Sequence, residues 1–197
     1  NENGFLSYIE PYDRGPMEEL QIGSRVDIVL GEFWNGLSAV FPNNLMMRRT
    51  SKMASSIAHT NGHSIVGAEA FTSEPQSARW QEYPFGLKAV GDKAFTEGIN
   101  RMVIHRYAQQ PHSDAAPAMT QGPWGIHFDR TNTLWKPSKA WLDYLNRSQT
   151  LLQKGKFVAD FAYFIGERVV GYTRVNNKDL QPSLMKGYDY DLINSET

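Results

Sequence analysis

Ser64-Ile65-Val66-Gly67-Ala68-Glu69-Ala70-Phe71-Thr72 is the stretch from which the rest of the chain is read. A short β-branched run passes into two small residues, then a carboxylate, then an aromatic. A buried strand that ends in a site has this pattern. Ile65 and Val66 fill a core, Gly67 and Ala68 leave space beside a bound ligand, and Glu69 stands where the strand opens into its loop. In a parallel barrel the reactive residues come from that C-terminal end of the strands. Two similar stretches precede it, Leu6 to Tyr12 ending in Glu10 and Val26 to Trp34 ending in Glu32. A fourth follows, Arg101 to Tyr107, carrying His105. Four strands, each with a polar residue near its C-terminal end, predict one shared pocket.

Helical patterns fill the intervals. Met17 to Ile22 reads as a brief helical turn with Glu18 and Glu19 early, which suits the helix dipole. Asn43 or Asn44 is placed to cap a second helix, whose Leu45, Met46, Met53, Ala54, Ile57 and Ala58 form an apolar stripe. Asn61-Gly62 ends it, and Met46, Met47 and Met53 read as core. His59 and His63 flank Gly62 and read as surface. Pro84 opens a third helix, and Pro137 starts a fourth with Trp141, Leu142 and Leu145 on one face. Between them, residues 108–134 show no period, and loops this long in compact domains are usually functional or disordered. Their aromatics argue against disorder. Phe157 to Ile165 is a further apolar run.

Strand–helix alternation predicts parallel strands joined by helical crossovers. No glycine-rich phosphate loop follows any strand, which disfavours a dinucleotide fold. Carboxylates at successive strand ends favour a (β/α)8 barrel of the TIM type, of which four strands make the C-terminal half. The expected domains are 1–155, that half-barrel, and 156–197, the start of a following α/β domain. Because the chain opens on Asn1 rather than Met, it reads as a piece of something longer.

Composition bounds the partners. The chain has 197 residues, 41% hydrophobic and 12% aromatic, and its 20 basic and 21 acidic residues leave a net charge of -1. No basic excess points to nucleic acid or a membrane surface. Without cysteine, disulfides and thiolate metal sites are excluded, while the compartment stays open. No apolar run reaches the roughly 18 residues of a membrane span.

Paired carboxylates are the machinery of glycoside hydrolysis, where one protonates the leaving oxygen and the other activates water or attacks the sugar. Glu10, Glu32 and Glu69 supply candidates. Each alone reads equally well as an ion pair or a loop hydrogen bond; three in register weigh toward chemistry. His105 reads first as a structural histidine and second as a contact to sugar hydroxyls. No zinc-type histidine pair and no Gly-x-Ser-x-Gly elbow offers a different chemistry.

Taken together, several motifs carry a resemblance. Ile9-Glu10-Pro11-Tyr12, Gly31-Glu32-Phe33-Trp34, Gly67 to Thr72, Glu97 to Arg101, His105-Arg106-Tyr107 and Gly122 to Phe128 resemble glycoside hydrolase family 106, the α-L-rhamnosidases. Ala140 to Leu145 and Gly187 to Asp191 fit as well, in the family's order over nearly the whole chain. The resemblance implies a large multidomain enzyme with a catalytic (β/α)8 barrel, inversion of configuration, and a calcium ion that holds rhamnose hydroxyls. It implies Glu69 as the general base and Glu32 as a ligand of calcium or sugar, roles the two residues could exchange. Glu10 would line the pocket, and Trp34, Trp124, His105 and His127 would be rhamnose contacts or pocket walls. The general acid is expected upstream of Asn1. The expected partners are a carbohydrate containing α-L-rhamnose and the remaining domains of the longer protein. The expected location is periplasmic or extracellular. Two alternatives stay open: a non-catalytic carbohydrate-binding half-barrel, and a related glycosidase acting on another sugar.

Overall fold

The computed structural model describes residues 2–12, 17–35, 45–75, 80–115, 119–120, 122–166 and 180–197; for residues 45–49 it describes the backbone only. Among these, four strands form one parallel sheet in sequence order: β1 (Tyr8–Ile9), β2 (Ile28–Asn35), β3 (Val66–Ser73) and β4 (Arg101–Ile104). The crossovers carry α1 (Glu19–Gly23), α2 (Leu45–Thr60) and α3 (Pro84–Thr96), and α4 (Lys139–Leu152) follows β4. A second, two-stranded parallel sheet pairs β5 (Phe161–Phe164) with β6 (Tyr190–Ile193). The fold is therefore mixed α/β with parallel strands. Among the described residues the four-stranded sheet is open and does not close into a barrel.

The strands sit where the apolar runs predict, with shifted ends. β1 keeps only two residues of the expected run, since Phe5 and Leu6 stay exposed. β2 runs on through Glu32 and Trp34 to Asn35, and β4 stops at Ile104, before His105. Pro84 sits in the first turn of α3, and Gly62 ends α2 with φ +73°. The expected caps Asn43 and Asn44 lie outside the described residues.

One face of the sheet packs on helices. Val29, Phe33, Val66, Ala68 and Ala70 are buried with Met53, Ala54 and Ile57 of α2 and Leu87 and Ala94 of α3. Gly31 lets α2 come down onto β2: a Cβ there would fall 2.5 Å from the Thr50 carbonyl oxygen. The opposite side of α2 is buried too, because β6 lies against it. Ser56 Oγ accepts from the Leu192 N–H at 2.9 Å, Lys52 pairs with Asp189 at 2.7 Å, and His59 Nδ1 meets Asp191 Oδ1 at 3.0 Å. His59, expected at the surface, stacks on Phe157 at 3.9 Å. No helix among the described residues is long and apolar enough to cross a membrane.

Candidate active site

Side chains alternate across a strand, so register decides which residues share a face. Leu30 pairs with Gly67 and Glu32 with Glu69, which sets both carboxylates side by side on the sheet face turned away from α2. Gly67 was expected to leave room for a ligand. Leu30 fills that room instead: a Cβ on Gly67 would stand 2.8 Å from Leu30 Cγ. The carboxylates thus rise from a packed floor. Glu10 is not in the same row. Tyr8 pairs with Ile28 and Ile9 with Val29, so continuing the register sets Glu10 beside Leu30, two residues short of Glu32.

Glu69 was expected where β3 opens into its loop, but the strand runs on to Ser73, and β2 likewise runs past Glu32 to Asn35, so both glutamates lie within their strands and both are tied down. The Thr50 hydroxyl on α2 accepts from the Glu32 N–H at 3.0 Å and donates to the Glu32 carbonyl at 2.8 Å. The Thr72 hydroxyl donates to Glu69 Oε1. Tyr12 joins the group from the end of β1. Its hydroxyl is buried beside Glu10, with no partner in full hydrogen-bond geometry among the described residues. Burial, then the charges of Glu32, Glu10 and Glu69, raise the Tyr12 phenol far above its ordinary range, so it stays a neutral donor. Burial, and then the Glu69 carboxylate, push the Glu10 carboxyl above its usual value. Those mutual effects place Glu10, Glu32, Glu69 and Tyr12 in one electrostatic cluster.

Beyond the strand ends, residues 125–128 extend the sheet. Gly125 N–H donates to Ser73 O at 2.9 Å, Ile126 N–H to His105 O at 3.1 Å and Phe128 N–H to Arg106 O at 2.9 Å. This brings Trp124 edge-on to Trp34, with ring centroids 5.8 Å apart. Among the described residues, Trp34 Nε1 is buried without a partner, as is His105 Nδ1. His127 is buried rather than open: its ring stacks on Trp80 at 4.0 Å, and its Nδ1 meets Arg106 Nη2. Burial first, and then the Arg106 guanidinium, depress His127 to about 4. A neutral ring whose Nδ1 accepts a hydrogen bond from the Arg106 guanidinium carries its own hydrogen on Nε2. Trp34 and Trp124 thus meet beyond the middle of β2, and His127 lies behind Trp80.

Sequence reading missed Tyr12, Thr50, Thr72, Arg106 and Glu82. Glu82 accepts from Ser73 Oγ at 2.7 Å and Asn35 Nδ2 at 3.4 Å, joining the ends of β2 and β3. Tyr12, Thr72 and Arg106 lie inside motifs already singled out, where the carboxylates drew attention away from their neighbours. Thr50 and Glu82 carried no local signal. A cavity of about 610 Å³, bordered by His59, Ser64, Phe95, Asn100, Leu152 and Phe157, opens at the other end of the strands, away from the carboxylates.

The calcium implied by the motifs needs six to eight oxygen ligands. Among the described residues no group of three or more histidine, aspartate or glutamate side chains converges to hold a metal. Glu32 and Glu69 offer carboxylate oxygens of the kind calcium takes.

The family model of glycoside hydrolase family 106, described as alpha-L-rhamnosidase, matches residues 1–197. A curated protein of Formosa agariphila, named "Putative beta-glucuronidase", is 44% identical over 196 residues, covering 99% of this chain and 15% of that protein. The solved structure of a rhamnosidase from Novosphingobium sp. PP1Y superposes with a TM-score of 0.84 at 32% identity, over 98% of this chain and 18% of that one. The chain thus spans less than a fifth of either relative.

Proposed function

The chain belongs to glycoside hydrolase family 106, and from that premise we propose that it carries the water-activating side of an inverting α-L-rhamnosidase site. The observation that supports this most is the Glu32–Glu69 pair, in register midway along adjacent parallel strands and on one face of the sheet. Glu69 is the general base: it takes a proton from water as the water oxygen attacks the anomeric carbon. Glu32 binds the sugar hydroxyls, Glu10 lines the pocket, and Trp34, Trp124, His105 and His127 wall the rhamnose.

Spacing favours dividing the roles this way. Neighbouring strands lie about 4.8 Å apart, whereas an inverting acid–base pair stands about 6.5–9.5 Å apart across the sugar. Glu32 and Glu69 therefore serve one side of the ring, and the general acid comes from outside this chain. The sheet supports the half-barrel reading. Val103, the register partner of Glu69, is 45% exposed on the face that a closed barrel would turn inward. A calcium ion at Glu32 would draw its other ligands from outside the described residues and would screen the carboxylates while fixing sugar hydroxyls. A periplasmic or extracellular enzyme with a rhamnose-containing carbohydrate substrate follows from the same reading.

The name of the Formosa relative favours a second reading, the same site acting on a glucuronide. One experiment separates them: the full-length protein is assayed on 4-nitrophenyl α-L-rhamnoside and on the β-D-glucuronide, with and without a calcium chelator. Release from the rhamnoside, lost about 10²–10⁴-fold in Glu69→Gln, the usual worth of a general base, is expected. Release from the glucuronide alone overturns the sugar; unchanged turnover in Glu69→Gln overturns the base. Chelation is expected to lower turnover, and full activity without calcium removes the metal from the account.

A further inference from the structure

We propose that Thr72 is a positioning residue for the reaction, its hydroxyl holding one oxygen of Glu69 so that the other faces the attacking water. The inference rests on Glu69 being the general base. Residues three apart on a regular strand point to opposite faces, so Thr72 should turn its back on Glu69. It does not, because β3 carries a bulge. Phe33 pairs with Ala70 and the next residue, Trp34, pairs with Thr72, leaving Phe71 as the extra residue. Phe71 has φ +63°, a conformation a bulky side chain rarely takes. Bulges recur beside active sites, where they re-aim a side chain.

The bulge is fixed by packing. Phe71 is fully buried, edge-on to Phe33 with centroids 4.9 Å apart and to Trp141 at 5.2 Å. Gly91 of α3 clears the way for its ring: a Cβ there would stand 3.0 Å from Phe71 Cζ. The aromatic core thus locks the bulge. The bulge in turn swings Thr72, 2% exposed, onto the face of Glu69 and Glu32. There its hydroxyl donates to Glu69 Oε1, and among the described residues no other hydrogen bond reaches that carboxylate.

The consequence is directional. A glutamate has three side-chain torsions, and a general base must sit within hydrogen-bond reach of the proton it takes. With Oε1 engaged by Thr72, Oε2 is the oxygen that receives the water proton. The water oxygen bonds to the anomeric carbon as the bond to the leaving oxygen breaks. That oxygen takes its proton from the general acid carboxyl contributed from outside this chain. Thr72 keeps its own proton throughout.

The test uses the full-length enzyme and 4-nitrophenyl α-L-rhamnoside. Thr72→Val, close in shape but without the hydroxyl, is expected to lower kcat about 10- to 100-fold, the scale of a lost hydrogen bond to a charged group. KM should hold and Thr72→Ser should restore most of the rate. Thr72→Ala serves as the second variant if valine does not fold. In a Glu69→Gln background, where the base is already gone, the Thr72 substitution should cost no further turnover. Unchanged kcat in both Thr72→Val and Thr72→Ala overturns the proposal. So does an equal loss in the two backgrounds, which marks a purely structural residue. Normal turnover in Glu69→Gln alone instead overturns the assignment of the base on which the proposal rests.

Discussion

Gly31 shows how little room the site leaves for change. Its α-carbon lies against the Thr50–Ser51 backbone of α2, and the next residue is Glu32, whose amide and carbonyl both bond Thr50. Gly31→Ala would push α2 off β2 and break that clasp. It is expected to destabilise the full-length protein by about 1–3 kcal/mol, the usual cost of overpacking, measured by denaturant unfolding. His127 gives a pH dependence with a definite sign. Folded, it titrates near 4, because burial and then Arg106 disfavour its charge; unfolded, it titrates at its ordinary value of about 6.5. Between those values the unfolded chain binds a proton that the folded chain refuses. The stability is therefore full above about pH 6.5 and is lost as pH falls toward 4. Melting temperature should drop over that window more steeply in the wild type than in His127→Gln; identical slopes would contradict it. At this scale the sequence revealed carboxylates better than their holders. Glu32 and Glu69 stood out because charge at the end of an apolar run is rare. Thr72 gave no signal because its orientation depends on a bulge at Phe71, and Phe71 looks like any core aromatic until its φ is known.

Elements were legible wherever a period or a breaker marked them. Pro84, Asn61-Gly62 and the apolar run through Val66 set α3, the end of α2 and β3 close to where they lie. α2 was half legible. Its apolar stripe faces the sheet, but Lys52 and Ser56 on another side are buried as well, against β6 and the residues before it, and Ser55 is buried against Gly98. Serine and lysine read as solvated until a partner strand is seen to cover them. Small side chains there let β6 approach, and the Lys52 charge is met by Asp189 and by the rings of Phe157 and Tyr190. The start of β3 depends on Asn100, which accepts from the Val66 N–H at 2.8 Å and donates to Ser64 O at 2.7 Å. Asn100→Ala leaves two backbone groups without their partner. It should cost about 1–3 kcal/mol and loosen β3 first, seen as faster amide exchange at Val66 than in the helices. Equal exchange throughout would mean that the clamp is dispensable.

At the scale of the molecule, the sheet has one covered face and one that is partly open. Phe5 at 75%, Leu6 at 66% and Val103 at 45% exposure are apolar groups on or beside the sheet without cover. The edges differ. At β4, α4 supplies side chains in place of a strand: Gln149 accepts from the Met102 N–H at 2.6 Å and Gln153 donates to Asn100 O at 2.7 Å. At β1 only two residues pair. Exposed apolar surface and unpaired strand edges drive association, so residues 1–197 alone are expected to self-associate. Light scattering against concentration checks this, and a monodisperse monomer would contradict it. Parallel order was legible because strands and helices alternate. Barrel closure was not, since the four described strands form an open sheet with β1 and β4 at its edges. In the proposed reaction Glu69 activates water on one side of a rhamnoside while a distant acid serves the other. Proton NMR of the full-length enzyme during early turnover tests it most directly, by identifying the anomer released first. The expected product is β-L-rhamnose before mutarotation, with its release slowed about 10²–10⁴-fold in Glu69→Gln. The α-anomer appearing first, or undiminished release from the variant, would contradict it.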